Sequence, residues 1–483
     1  MEQQFDAVVI GAGATGLAAA DKLKAAGHSV LVLEAAPKVG GLARSISVGG
    51  EPIEAYYHHI FPQDHEVREL AERLGMSADL EWRHGSMAIL HRGRPYRFDS
   101  PLDLLRFSPL SFLSRIRSGL ATAFCVIRPD NGRLDRHSVV AESRRAFGGE
   151  AFELLWQTLL EAKFGSQLYK QLPMAWLVAR LRQRAGARKA GGDKLGYLRG
   201  SLGRLLEAYA AQLAQAGVPI WTAAPVTSLT QEDGGWSIFC EHEGAWQKIH
   251  ARVVIAALSG GLLLKLAPQV PAAYGDQLRA IPYRGVVCAL VELDRPVSLF
   301  YWTNLTQGGA SSCVGIIEHT NLIPAERYGG RHLIYLAHYV DPADPIFEAS
   351  PEAILSAAEP ALRALNLEYS RTWVTNITVS RDRYAQPVPQ IGGPMPTLPI
   401  ETGLAGLLHG SLAHIYPHDR GVAMSLRLGA RLAQTAEGSL AAHPAPKGPD
   451  VRIESDEISA QAHWEEDGGA ILDSEQTILP EME

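Results

Sequence analysis

Apolar and polar positions alternate along the chain in blocks that name their own elements. Phe5 to Ile10 is a short, mostly apolar, β-branched run. Leu17 to Ala26 is rich in Ala, Leu and Lys and stops at Gly27, and Ser29 to Leu33 is a second apolar run. The pattern predicts strand, helix, strand at the N-terminus. Residues 99–190 read as helical, with amphipathic runs such as Leu102 to Leu113 and Phe152 to Phe164. Alternation over Trp236 to Cys240 and again over Trp246 to Val254 predicts a hairpin, and Arg252 to Leu258 a buried strand. Val286 to Leu293, Gly315 to Ile317 and His332 to Leu336 predict β-structure across 281–345. Near the C-terminus, Gly403 to Ser411 reads as turn, strand and tight glycine loop, and Ser425 to Gln434 as a helix. Ser118 to Ile127 and Val253 to Leu264 are the most apolar stretches, and each is closed by basic residues before the ~20 residues a bilayer span needs. The class is α/β (α+β overall).

The turn between the first strand and the first helix is Gly11-Ala12-Gly13-Ala14-Thr15-Gly16, a GxGxxG. In this pattern Gly11 permits the tight turn, Gly13 lets backbone approach a pyrophosphate, and Gly16 lets helix and strand pack closely. The helix N-terminus offers free N–H groups to phosphate, and Ala14 and Thr15, within the motif, are candidate cofactor contacts. Glu34 closes the second strand, where an acid accepts hydrogen bonds from a ribose diol. The lone motif is weak, but strand, helix, second strand and acid all stand in order. The unit predicts a dinucleotide site.

Glu34-Ala35 is followed by Gly40-Gly41-Leu42-Ala43-Arg44, which resembles the extended motif of FAD enzymes. Gly410, followed by Tyr416-Pro417-His418-Asp419-Arg420-Gly421-Val422, resembles the closing FAD motif of the flavin amine oxidase, protoporphyrinogen oxidase and phytoene desaturase superfamily. The "IYPxDRG" pattern is similar to its bacterial protoporphyrinogen-oxidase-like branch. The family's RGxN version departs here, since Ala423 follows Val422. The resemblance implies a Rossmann-like FAD-binding domain with an interrupting mixed helix/sheet substrate domain. It implies FAD contacts from Gly41, Leu42, Ala43, Arg44, Gly410, Asp419, Gly421 and Val422, and a backbone contact to adenine at Val226. The implied FAD domain is 1–62, 195–265 and 395–437, with the substrate domain at 63–194 and 266–394.

Tyr56-Tyr57-His58-His59 comes where the chain crosses toward the flavin ring of such a protein. His58 and His59 are candidate catalytic groups, able to hydrogen-bond the flavin edge or to act as acid or base near neutral pH, or else they are satisfied by backbone carbonyls. Tyr301 and Tyr416 are further catalytic candidates, and Tyr197, Tyr283 and Tyr416 candidates for an aromatic wall. Arg180, Arg182, Arg184, Arg188 and Lys189 admit three readings: a solvated helix face, a peripheral membrane contact, or a site for a substrate phosphate or carboxylate.

The chain has 483 residues and a formal net charge of −7, which argues against a nucleic-acid partner. Cys125, Cys240, Cys288 and Cys313 lie far apart, without disulfide or zinc spacing, so no metal is expected and a reducing cytoplasm fits. Glu2 and Asp6 stand where a signal peptide needs basic residues. Residues 438–483 are expected to be an acidic, disordered tail. No second GxGxxG follows a strand, so electrons must leave to oxygen, a quinone or another external acceptor. No cysteine follows Cys313, so the FAD is expected to be non-covalent. The leading expectation is an FAD-dependent oxidase or dehydrogenase that takes a hydride from a C–N or C–C bond of a small organic molecule. A UDP-galactopyranose-mutase-like, non-redox flavoenzyme is the alternative, on the similarity of Tyr57 to Phe61 to the "GPHIF" segment. A non-catalytic flavin-binding protein is the third.

Overall fold

The computed structural model describes residues 3–128, 132–189, 192–306 and 313–442. The tail from 443 onward and the side chains of Arg188 and Lys189 lie outside them. Two seven-stranded sheets organise the rest. The first takes its strands from three distant parts of the chain. Gln3–Ile10 lies between Val30–Leu33 and Ala245–Ala256, both parallel to it. Ile220–Trp221 extends one side, in parallel, while Leu407–His409 pairs in parallel with the end of Ala245–Ala256. The strands are apolar without a break because both faces are covered. Ala7 and Val9 pack into the core beneath the first helix (Ala14–Ala25), and Val8 and Ile10 into a separate core on the opposite face.

Three local readings change. The first helix begins at Ala14, directly after Gly13, because the glycine turn feeds straight into it. Trp246 to Val254 and Arg252 to Leu258 are one strand, Ala245–Ala256: its first half completes the hairpin with Gly235–His242, and its end pairs with Leu407–His409. The last helix runs Val422–Ala442, so residues 438–442 are helical rather than tail. Gly429 does not break it. It lets this helix lie on the first one, since a Cβ there would sit 2.3 Å from the Thr15 carbonyl oxygen and 2.7 Å from Ala18 Cβ.

The second sheet runs in the order Val374–Pro387, Tyr283–Leu293, His332–Val340, Gly315–Glu318, Trp302–Leu305, Met87–His91, Arg94–Arg97. Side chains alternate across it. Val287, Ala289 and Val291 face a core shared with the helix Pro351–Leu365, while Val286, Cys288 and Leu290 face Tyr56, Tyr301, Trp302 and Tyr335. A helical layer, including Phe112–Ile127, Val139–Phe147 and Met174–Ala187, encloses its own core around Phe147, Phe152 and Phe164.

Candidate functional site

The carboxyl ends of the parallel strands carry the loops of interest, where ligands of open α/β sheets bind. Gly11 has φ +103°, and a Cβ there would meet the Ala257 carbonyl oxygen at 2.7 Å. Gly16 lies flush against the turn, with its would-be Cβ 1.8 Å from the Gly11 oxygen. Gly13 differs: among the described residues nothing comes within 4 Å of a Cβ added there. Gly11 and Gly16 are thus fixed by packing, and Gly13 faces open space. The first helix has no side-chain cap, so its leading N–H groups keep their polarity for a ligand.

Glu34 is buried beside this turn. Its carboxylate accepts from the Ala12 N–H (2.7 Å) and the Ala36 N–H (2.9 Å), one on each oxygen. Burial pushes its pKa up, against the pull of those two N–H groups. Each oxygen retains lone-pair capacity for a hydroxyl donor. Ala35 beside it is exposed. Gly40 and Gly41 both have positive φ, and a Cβ added at Gly41 would lie 3.5 Å from Gly13 Cα, so the two glycine loops are neighbours. Leu42 and Ala43 follow in a short 3-10 turn. Arg44 donates to the Tyr56 hydroxyl (3.2 Å) and lies over its ring. Val226 begins the strand Val226–Glu232 opposite Cys240.

The C-terminal motif divides. Gly410 is a packing glycine: its N–H donates to Ala256 O (3.0 Å), and a Cβ would strike Leu432 at 2.3 Å. Gly421, at the start of the last helix, has nothing within 4 Å of a Cβ, and Val422 opens the helix. The last helix packs on the first through Gly429.

Asp419 is buried and ion-paired, with Lys163 Nζ at 2.6 Å and Arg180 Nη1 at 3.5 Å. Burial works to raise its pKa, but Lys163, Arg180 and Arg420 hold it well below the carboxylate range. Lys163 is pushed down to about 8 by burial and by the neighbouring arginines, against the pull of Asp419. Asp419 Oδ1 has no hydrogen-bond partner within the protein. Arg420 donates to the Tyr339 hydroxyl and to Ala385 O (3.3 Å), and Tyr57 and Tyr339 share a hydrogen bond of 3.0 Å. A small cleft opens here between Trp176, Gln386, Pro389, Tyr416, His418 and Arg420.

His58 and His59 diverge. His58 Nδ1 is bonded to the Tyr56 carbonyl at 2.5 Å, the backbone-satisfied alternative. His59 Nδ1 lies 3.3 Å from the Tyr301 hydroxyl, with its ring edge-on to Phe61. Burial brings His58 down to about 4 and, with Arg184 and Arg180 nearby, holds His59 well below its ordinary value. Neither ring carries a proton charge near neutral pH, so neither is a general acid there. Tyr301 is fully buried and burial keeps its hydroxyl protonated, and that hydroxyl can donate to or accept from His59 Nδ1 according to the ring's tautomer. The Tyr416 hydroxyl donates to Asp135 at 2.5 Å, toward the helical layer. Tyr197 is spent on Glu54 (3.0 Å) under the second sheet, and Tyr283 packs edge-on to Tyr384.

Of the arginine group, Arg180 points at Asp419, and Arg182 donates to the Val126 carbonyl at 3.4 Å. These two point inward, so the solvated-face reading does not hold for them. Lys163 and Glu54 were not singled out from the sequence. Lys163 had no local signal beyond ending an amphipathic run, whereas Arg420 stood inside the C-terminal motif.

Comparison with known proteins gives the family and the fold. The profile of the family described as "Flavin containing amine oxidoreductase" matches residues 14–396. Putrescine oxidase of Kocuria rosea is 41% identical over 85 residues, 18% of this chain and 18% of that enzyme. Other curated relatives with amine oxidase names match over about a quarter of their own length. Among solved structures, an Exiguobacterium protein provisionally assigned as a protoporphyrinogen oxidase superposes with a TM-score of 0.71 at 17% identity, covering 90% of this chain and 99% of that one. Reduced UDP-galactopyranose mutase gives 0.69 at 15%, covering 90% and 96%. At these identities the structures attest the fold alone.

Proposed function

The chain belongs to the flavin-containing amine oxidoreductase family, and from that premise we propose that it is an FAD-dependent oxidoreductase that takes a hydride from a C–N or C–C bond of a small organic substrate and passes the electrons to oxygen, a quinone or another external acceptor. The observation that carries the reading is the uncapped start of the first helix, where Gly13 is uncrowded and the buried Glu34 carboxylate stands beside the turn. An open helix start beside a buried acid suits a group that is anionic at its pyrophosphate and carries a ribose diol.

The residues fit FAD. The uncapped N–H groups from Ala14 to Gly16 hold the pyrophosphate, and Glu34 accepts the ribose hydroxyls. Gly41, Leu42 and Ala43 bring backbone past the same space, and Arg44 is braced on Tyr56 beside it. Val226 serves the adenine end. Bound FAD supplies a hydride acceptor. The chain supplies the rest: Trp302, Tyr57 and Tyr339 line the second sheet's inner face, and Arg420 fixes Tyr339. His59, held neutral and oriented by Tyr301, offers a hydrogen bond rather than a charge. We place the FAD-binding domain at 1–62, 195–265 and 395–437, with the substrate domain between.

A second reading rests on Lys163, Arg180 and Arg420 around the single carboxylate of Asp419: a surplus of positive charge that suits a nucleotide diphosphate and a mutase-like, non-redox reaction. One experiment separates the two. The purified holoprotein is titrated anaerobically with an amine, a porphyrinogen and a polyene. Bleaching of the oxidised flavin band by any of them supports the oxidoreductase and gives its substrate class. No bleaching, with a UDP-sugar bound only after dithionite reduction, overturns it in favour of the mutase-like reading.

A further inference from the structure

Of the eleven large apolar side chains left in solvent among the described residues, eight lie together and three (Trp246, Leu299, Leu367) stand singly elsewhere. Phe112, Leu113, Ile116, Leu120, Phe124 and Ile127 stand out from one helix, with exposures from 39% to 79%. Leu102 and Leu105, on the preceding helix Pro101–Arg106, extend the same group. At 100° per residue the six fall within an arc of about 120°, a continuous stripe. The opposite side of the helix, which meets the protein, is small: Ser118, Ala121 and Cys125 are its buried residues. The usual polarity of a surface helix is thus inverted, with its bulk outward.

The helix is firmly held in this orientation. Glu150 accepts from the Ser111 N–H (2.8 Å) and from the Ser111 hydroxyl (2.6 Å) at its start. Arg117 reaches across to the Ala146 and Arg145 carbonyls (3.0 and 2.6 Å), and Arg182 donates to Val126 O near its end. An outward apolar stripe on a pinned helix calls for an apolar medium outside it.

We propose that the Phe112–Ile127 helix, with Leu102 and Leu105, docks the protein in the plane of an anionic phospholipid bilayer. Two observations choose this occupant. The first is charge: residues 101–128 carry Arg106, Arg115, Arg117 and Arg128 against the single acid Asp103, in a chain whose net charge is −7. Arg115 and Arg128 lie at the two ends of the stripe, over the rings of Phe112 and Phe124 (5.9 Å each), the arrangement of cations at headgroup level above buried rings. The second is area. Sixteen residues make a helix about 24 Å long, and a stripe about 10 Å wide covers roughly 250 Å², well short of the ~800 Å² per partner of a specific protein interface. The stripe is also convex, which suits insertion among acyl chains rather than a matching protein groove. Among the described residues no helix is long and apolar enough to cross a membrane, so the contact lies on the bilayer surface.

The test is co-sedimentation of the FAD-loaded full chain with vesicles of phosphatidylcholine containing phosphatidylglycerol, and with phosphatidylcholine alone. The wild type is expected to pellet with the anionic vesicles, and less so without phosphatidylglycerol or at high salt. Leu113→Asp/Leu120→Asp is expected to lower the bound fraction at least tenfold, with flavin absorbance and melting temperature kept. Leu120→Trp reports on the same face without adding charge, and its emission is expected to shift to the blue on the anionic vesicles. Failure to pellet by both the wild type and a chain ended at Ala442, in which the acidic tail cannot mask the stripe, overturns the proposal. So does equal pelleting of the Asp variant, or a wild-type dimer that this variant converts to monomer without vesicle binding, which assigns the stripe to a second copy.

Discussion

Gly13 and Gly16 stand three residues apart in one motif, and the structure gives them opposite fates on substitution. An alanine Cβ at Gly16 would lie 1.8 Å from the Gly11 carbonyl oxygen and 3.2 Å from Val9 Cγ1. The first is far inside van der Waals contact and against backbone, so the helix must lift from the strand. Overpacking of this kind costs typically 1–3 kcal/mol and more where backbone has to move, a large share of the ~5–15 kcal/mol that holds a protein folded. At Gly13 φ is −76° and ψ 179°, which alanine adopts freely, and no protein atom lies within 4 Å of the new methyl. The FAD-free Gly13→Ala protein should therefore keep its stability within about 0.5 kcal/mol. Its methyl stands where the pyrophosphate must approach, and FAD affinity should fall at least about tenfold, or ~1.4 kcal/mol. Urea unfolding of the FAD-free proteins gives the first quantity and flavin fluorescence titration the second. Gly16→Ala should lose stability first and affinity as a consequence. The reasoning fails if Gly13→Ala unfolds as early as Gly16→Ala, or if it binds FAD within twofold of the wild type.

Asp419→Ala removes the counter-ion of buried Lys163 and should cost about 3 kcal/mol, with much of this recovered in Lys163→Met/Asp419→Leu. Equal losses in the single and double variants, read by urea titration, would count against the ion pair. Glu54 is fully buried, and burial pushes its carboxyl up to about 7. A raised folded-state value means stability that is complete below the unfolded value of ~4.3 and is lost as pH climbs toward 7, on the order of 3 kcal/mol. Glu54→Gln should flatten thermal stability across that interval, and an unchanged slope in calorimetry would exclude Glu54 as its source. Glu34→Ala should fold and bind FAD weakly, which equilibrium dialysis measures. His59→Ala should keep FAD yet slow flavin reduction by substrate in anaerobic stopped flow, and an unaltered rate would leave His59 a packing residue.

The parts of the site that were legible from sequence are those made by neighbours in the chain. Gly11 to Gly16 and Glu34 sit within one strand-helix-strand unit, where spacing alone sets geometry. The C-terminal motif was legible for the same reason, although it did not distinguish Gly410, which packs on Leu432, from Gly421, which faces open space. Lys163 and Arg180 were not legible as partners of Asp419, because their meeting depends on how the helical layer sits on the first sheet. The histidine pair was visible but its protonation was not: burial, with Arg420 near His58 and Arg184 and Arg180 near His59, lowers both pKa values, and the residue type does not. An amphipathic run such as Leu102 to Leu113 reads identically whether its apolar side turns inward or outward, so the stripe on Phe112–Ile127 waited for three dimensions.

The seat of Gly429 on Thr15 has a consequence in time as well as space. The two residues are 414 positions apart, and at about 5–20 residues per second a ribosome needs roughly 20–80 s to travel between them. Throughout that interval the N-terminal glycine turn exists without the helix that completes its far wall. Cofactor capture is therefore expected only after the last helix has been made, and a chain broken off before Gly429 is expected to be released without its colour. Loading with flavin becomes a record that synthesis passed that helix.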